Sequence, residues 1–152
     1  MIQSNTDAPV LEEFKNLPSR IPIEQFDVTV FTKDQIRDIF RTTKMPTAEA
    51  MIDELMLRAI KAGATDLHFE PAENELRIRM GFEGIMKRLV SLPKDIAESL
   101  SNVLMNRGGL NSFEKKKPQE GRFSISAGQV QFDIRVSTVP VLYGERVALR
   151  MF

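Results

Sequence analysis

The chain has 152 residues, 42% of them hydrophobic and 28% charged, with 21 Lys plus Arg against 21 Asp plus Glu and no cysteine. One domain of this size buries roughly 70% of the surface its unfolded chain exposes, and zero cysteine excludes both a disulfide framework and a thiolate metal site. The composition excludes disorder as the general state, and the balanced charge gives no overall pull towards nucleic acid or an anionic membrane.

The opening "MIQSNTDAPVLEEF" lacks a basic region followed by an apolar stretch, and no apolar run approaches the roughly 20 residues that would span a bilayer. The reading is cytoplasmic and soluble; peripheral attachment to an inner-membrane complex stays compatible with it. Residues 1–46 read as an N-terminal extension. Pro9, Pro18 and Pro22 interrupt its first 30 residues, which hold at most short helical pieces. Thr32 and Gln35 resemble a capping box, and Ile36, Ile39 and Phe40 then recur at helical spacing, predicting a short helix near 32–43.

"RTTKMP" reads as a linker, and Thr47 is a second start signal. Behind it Ile52, Leu55, Met56, Ala59 and Ile60 fall on one helical face, and Gly63 stands where a left-handed cap belongs. Three strands are predicted next, at 65–69, 75–80 and 85–90, separated by "PAEN" and "GFEG". A helix over 93–106 stops at Gly108 and Gly109. The loop "LNSFEKKKPQEG" leads into strands at 121–126, 129–138 and 145–151. Helix, three strands, helix, three strands predicts an α+β domain over 47–152 with an antiparallel sheet.

The last two strands carry the most explicit expectation. Val130, Phe132, Ile134 and Val136 alternate with Gln131, Asp133, Arg135 and Ser137, while Val147, Leu149 and Met151 alternate with Arg146, Ala148 and Arg150. If both apolar faces enter one core, opposed residues share a face, and a tight turn at Leu142 and Tyr143 sets Arg135 opposite Arg150. Facing arginines repel by some tenths of a kcal/mol up to ~1, and their planar forks suit a shared phosphate. The plainer alternative is two solvated positions partnered by Asp133 or Glu145.

In "ATDLHFEP" the chain's single histidine, His68, lies between Asp66 and Glu70 on one strand face. Side chains at i and i+4 on a strand lie ~13 Å apart, too far for all three to reach one ion, so a polar sheet face or a domain contact is expected instead. Lys115, Lys116 and Lys117 read as a solvated loop, which Arg107 and Arg122 would enlarge into an anion-attracting patch. No P-loop pattern occurs, and without tryptophan nucleic-acid stacking has no support.

Four stretches in this order, "ATDLHFEP", "LRIRMGFEG", "KKKPQEGR" and "DIRVSTVPVLYGERVALRMF", resemble the ATPases that drive type II secretion and the assembly or retraction of type IV pili. The resemblance covers residues 47–152. It implies a PAS-like α+β domain ahead of a RecA-like motor domain, in a homo-hexamer that works with inner-membrane platform proteins and uses ATP and Mg. It also implies that Arg135 and Arg150 reach phosphates of nucleotide held by the motor, in the same or a neighbouring chain. Arg77, Arg79, Arg122 and Arg146 are candidates for supporting contacts, and Asp66, His68 and Glu70 for a domain interface. The family commonly has a further arginine where Gly81 stands, and aspartate where Glu83 and Glu120 stand. This chain alone is expected neither to hydrolyse ATP nor to bind a cofactor. The alternatives are a stand-alone adaptor that regulates a complete ATPase or its platform and, least favoured, a metal-dependent hydrolase.

Overall fold

The computed structural model describes residues 3–4, 32–40, 44–127 and 130–151. In chain order the elements are β1 (Gln3–Ser4), α1 (Lys33–Phe40), α2 (Ala48–Ala62), β2 (Asp66–Pro71), β3 (Glu75–Phe82), β4 (Ile85–Pro93), α3 (Ala97–Arg107), β5 (Gln119–Ala127), β6 (Val130–Val141) and β7 (Gly144–Met151). All strands join one antiparallel sheet in the order β1-β5-β6-β7-β2-β3-β4. The α+β class and the order of the long elements agree with the sequence. A seventh strand differs: Gln3 pairs with Ser126 and Ser4 with Ile125, in a stretch read as an extension with at most short helical pieces.

Caps mark the start of α1 and both ends of α2. Thr32 and Gln35 exchange side-chain and backbone bonds before α1. Thr47 accepts from the Ala50 amide at 3.1 Å, and Gly63, at φ 79, closes α2 with its N–H on the Ala59 and Ile60 carbonyls. The helix expected over 93–106 divides into a 3-10 turn, Lys94–Ile96, and then α3.

One face of the sheet is apolar and forms the core with the helices. Leu67 and Phe69, Leu76, Ile78 and Met80, Ile134 and Val136, and Val147 and Leu149 are all buried in one cluster with Ile52, Leu55 and Met56 of α2 and Leu100 and Leu104 of α3. Burying one such aliphatic or aromatic side chain contributes about 1.5–3 kcal/mol, which fixes which face of each strand turns inward and therefore the register. The β3–β4 turn is the two-residue Glu83–Gly84, both at positive φ (51 and 94), which suits the right-handed twist of a hairpin.

Candidate functional site

On the other face of the sheet the register lines up one cross-strand row. Arg122 on β5 faces Arg135 on β6, Arg135 faces Arg150 on β7, Arg150 faces Asp66 on β2, and Asp66 faces Gly81 on β3. The turn at Leu142 and Tyr143 lies between the paired Val141 and Gly144, so the opposition of Arg135 and Arg150 follows the expected register. All three arginines are exposed. Adjacent strands are about 4.8 Å apart, so the three guanidinium groups rise from neighbouring positions.

Two shallow hollows flank Arg135. One, of about 230 Å³, is lined by Asp66, His68, Arg135, Ser137 and Arg150; the other, of about 250 Å³, by Arg122, Asp133 and Arg135. Arg150 is not solitary. Its Nε donates to Asp66 Oδ1 at 2.9 Å, and this bond raises the guanidinium pKa further. Of the carboxylates named as partners from the sequence, Asp133 Oδ1 accepts from Ser124 Oγ at 3.2 Å, and Glu145 pairs with Lys115 at 3.1 Å.

The remaining candidates divide by their partners. Arg79 binds Glu70 through both Nε (2.7 Å) and Nη2 (2.8 Å), and Arg77 Nε binds Glu75 at 2.9 Å. Arg146 is exposed and faces Val139. His68 lies between Arg79 and Ala148 across the strands. Burial lowers its pKa; Glu70 and Asp66 oppose that shift, and Arg79 and Arg146 add to it. Asp66 and Glu70 each hold an arginine, and among the described residues no group of three His, Cys, Asp or Glu side chains is placed to hold a metal ion.

The basic patch around Lys115 needs correction. Lys115 folds inward to Glu145 and to Asn102 Oδ1 at 2.9 Å, because a buried carboxylate across the loop attracts it. Arg107 is taken by Asp53 at 3.0 Å. Lys116 and Lys117 stay exposed. Gln119 ties the loop, accepting from the Asn111 amide and donating to the Asn111 and Glu114 carbonyls.

The family profile described as "Type II/IV secretion system protein" matches residues 41–152, which hold α2, α3 and all six long strands. The chain belongs to this type II/IV secretion system protein family. Its relatives include the type IV pilus assembly ATPase PilB of Thermus thermophilus, 33% identical over 104 residues that cover 68% of this chain and 12% of that protein. PilB of Pseudomonas aeruginosa is 30% identical over 132 residues, 86% of this chain and 23% of the relative. The putative type II secretion system protein E of Escherichia coli is 36% identical over 101 residues, 66% and 20%. The secretion-family chain thus spans about an eighth to a quarter of these relatives' lengths. Among its described residues no helix is long and apolar enough to cross a membrane.

Proposed function

We propose that this chain is the N-terminal, PAS-like unit of a type II secretion or type IV pilus ATPase, and that it lends Arg135 and Arg150 to the phosphates of nucleotide on a RecA-like motor domain of the same or a neighbouring chain. The observation that carries this reading is their direct opposition in one exposed row of the sheet. Two like charges held face to face cost some tenths of a kcal/mol when solvated, and a shared oxyanion converts that repulsion into two attractions. Each guanidinium offers N–H donors in a planar fork that fits phosphate oxygens.

Arginines brought from outside a P-loop stabilise the charge that spreads over the transferred phosphoryl group, an effect of about 10³ to 10⁵ in rate in the best cases. Arg122, next in the row, is the supporting contact of choice. Arg79 is less suited because Glu70 already takes its Nε and Nη2, and Arg77 because it stands outside the row, opposite Glu70. Mg would remain with the motor's own groups, and a hexameric ring beneath an inner-membrane platform, on the cytoplasmic side, is the setting this role requires.

The test assembles this chain with the RecA-like motor of its system and measures ATP turnover. The double variant Arg135→Ala, Arg150→Ala is expected to lower turnover at least about tenfold without dissociating the assembly. Turnover equal to the unmodified assembly would sink the reading.

A further inference from the structure

The carboxylate that ends the arginine row is held more firmly than the arginine it binds. The Asp66 side chain is 14% exposed and that of Arg150 62%. Asp66 Oδ2 accepts from Thr65 Oγ1 at 3.2 Å while Oδ1 takes Arg150 Nε at 2.9 Å. Gly81 packs against the same carboxylate: a Cβ there would stand 2.9 Å from Asp66 Oδ2 and 3.0 Å from Asp66 Cβ, so a side chain at position 81 would push the carboxylate from its present seat. The one Thr65 hydroxyl proton is shared between Asp66 Oδ2 and the Gly81 carbonyl oxygen, each at 3.2 Å, and the Thr65 amide bonds that carbonyl oxygen at 2.8 Å.

A guanidinium carries one Nε–H and four Nη–H donors. The Asp66 contact is made at Nε, whereas Glu70 takes both Nε and Nη2 of Arg79. The two pairs therefore do different things with the same chemistry. Glu70 closes a two-point fork, and Asp66 steadies a guanidinium by one edge while its Nη groups stand outside that bond.

We infer that Asp66 is a positioning residue for Arg150: anchored by Thr65 and seated against Gly81, it fixes the guanidinium at the rim of the hollow shared with Arg135 so that the Nη donors meet a phosphate oxygen. The inference rests on the phosphate-contact reading above. Asp66 also offsets part of the repulsion between Arg135 and Arg150, so the row holds two cations close together before any anion arrives. Each torsion of a long exposed arginine that is fixed beforehand is ordering that phosphate contact no longer has to supply.

A double-mutant cycle on the assembled ATPase separates this from a purely structural ion pair. Asp66→Ala is expected to lower kcat about tenfold, and Asp66→Ala with Arg150→Ala to be no slower than Arg150→Ala alone within about twofold, because the two residues act as one unit. Asp66→Asn keeps an acceptor oxygen and is expected to recover most of the loss. Thermal melting of each variant identifies any that fails to fold, and in that case the comparison rests on Asp66→Asn, which must then retain more activity than Arg150→Ala. Losses from Asp66→Ala and Arg150→Ala that multiply would overturn the inference. So would Asp66→Ala matching the unmodified kcat while Arg150→Ala is slow, and that outcome would leave the phosphate reading standing. Unchanged turnover in both Arg150→Ala and the Arg135, Arg150 double variant removes the reading itself.

Discussion

Arg79 and Glu70 form a two-point contact across β3 and β2, with Nε at 2.7 Å from Oε1 and Nη2 at 2.8 Å from Oε2. The arginine side chain is 39% exposed, so solvent screening limits the pair to about 0.5–1 kcal/mol despite its geometry. Lysine has no planar fork and cannot make both bonds at once. Arg79→Ala is expected to lower the free energy of unfolding, read from urea titration, by that amount, and Arg79→Lys to recover less than half of it. Full recovery by lysine would mean that charge alone, not the fork, holds Glu70.

The contrast between local and long-range features explains what the sequence disclosed. Thr47 and Gly63 announced α2 because capping is chemistry of a few consecutive residues. The alternation around Arg135 and Arg150 disclosed their opposition because the hairpin turn fixes register locally. Nothing local links β7 to β2, which are 84 positions apart at Arg150 and Asp66, so the carboxylate that completes the row had no signal beyond its place on a polar strand face. The same holds for Asp53 with Arg107 and Glu145 with Lys115: pairs between elements far apart in sequence depend on how the layers pack. The strand at Gln3–Ser4 was hidden for a related reason, since two residues carry no period.

His68 is the chain's single histidine, so it dominates side-chain titration between the carboxylates and the lysines. Burial lowers its pKa below the ordinary 6.5. The unfolded chain therefore takes up the proton near pH 6.5 while the folded chain declines it until lower pH. Stability is unaffected above that value and falls as pH drops from about 6.5 towards the folded pKa. Denaturant midpoints at pH 7.5 and 5.5 should separate more for the native chain than for His68→Gln. Equal separations would show that the carboxylates carry the whole pH dependence.

Gly121, in the loop-to-strand motif "KKKPQEGR", lies against the end of α3. A Cβ there would stand 2.2 Å from the Gly108 carbonyl oxygen, a backbone atom that cannot rotate aside, and 2.8 Å from Leu110 Cδ2. Gly84 differs: its φ of 94 is unfavourable for other residues, but the space around it is open. Gly121→Ala is expected to destabilise by about 2–3 kcal/mol and Gly84→Ala by about 1, measured by urea unfolding. A Gly121→Ala effect no larger than that of Gly84→Ala would mean that β5 and α3 separate easily.

Asp53 on α2 and Arg107 at the end of α3 meet at 3.0 Å with side chains only 9% and 16% exposed. Burial raises the Asp53 pKa above its ordinary 3.8 even though Arg107 acts against that shift. Removing the arginine leaves a buried carboxylate without that opposing charge, so Arg107→Met should cost about 2–4 kcal/mol at neutral pH. Adding Asp53→Asn should return much of it, because the amide carries no charge to desolvate. The pH dependence gives a separate check. In Arg107→Met the folded state holds its proton to higher pH than the unfolded chain does, so the loss is largest above the folded pKa and shrinks as pH falls through it towards 3.8. A deficit that stays constant over that interval would assign the cost to lost packing of the arginine stem and not to the stranded carboxylate.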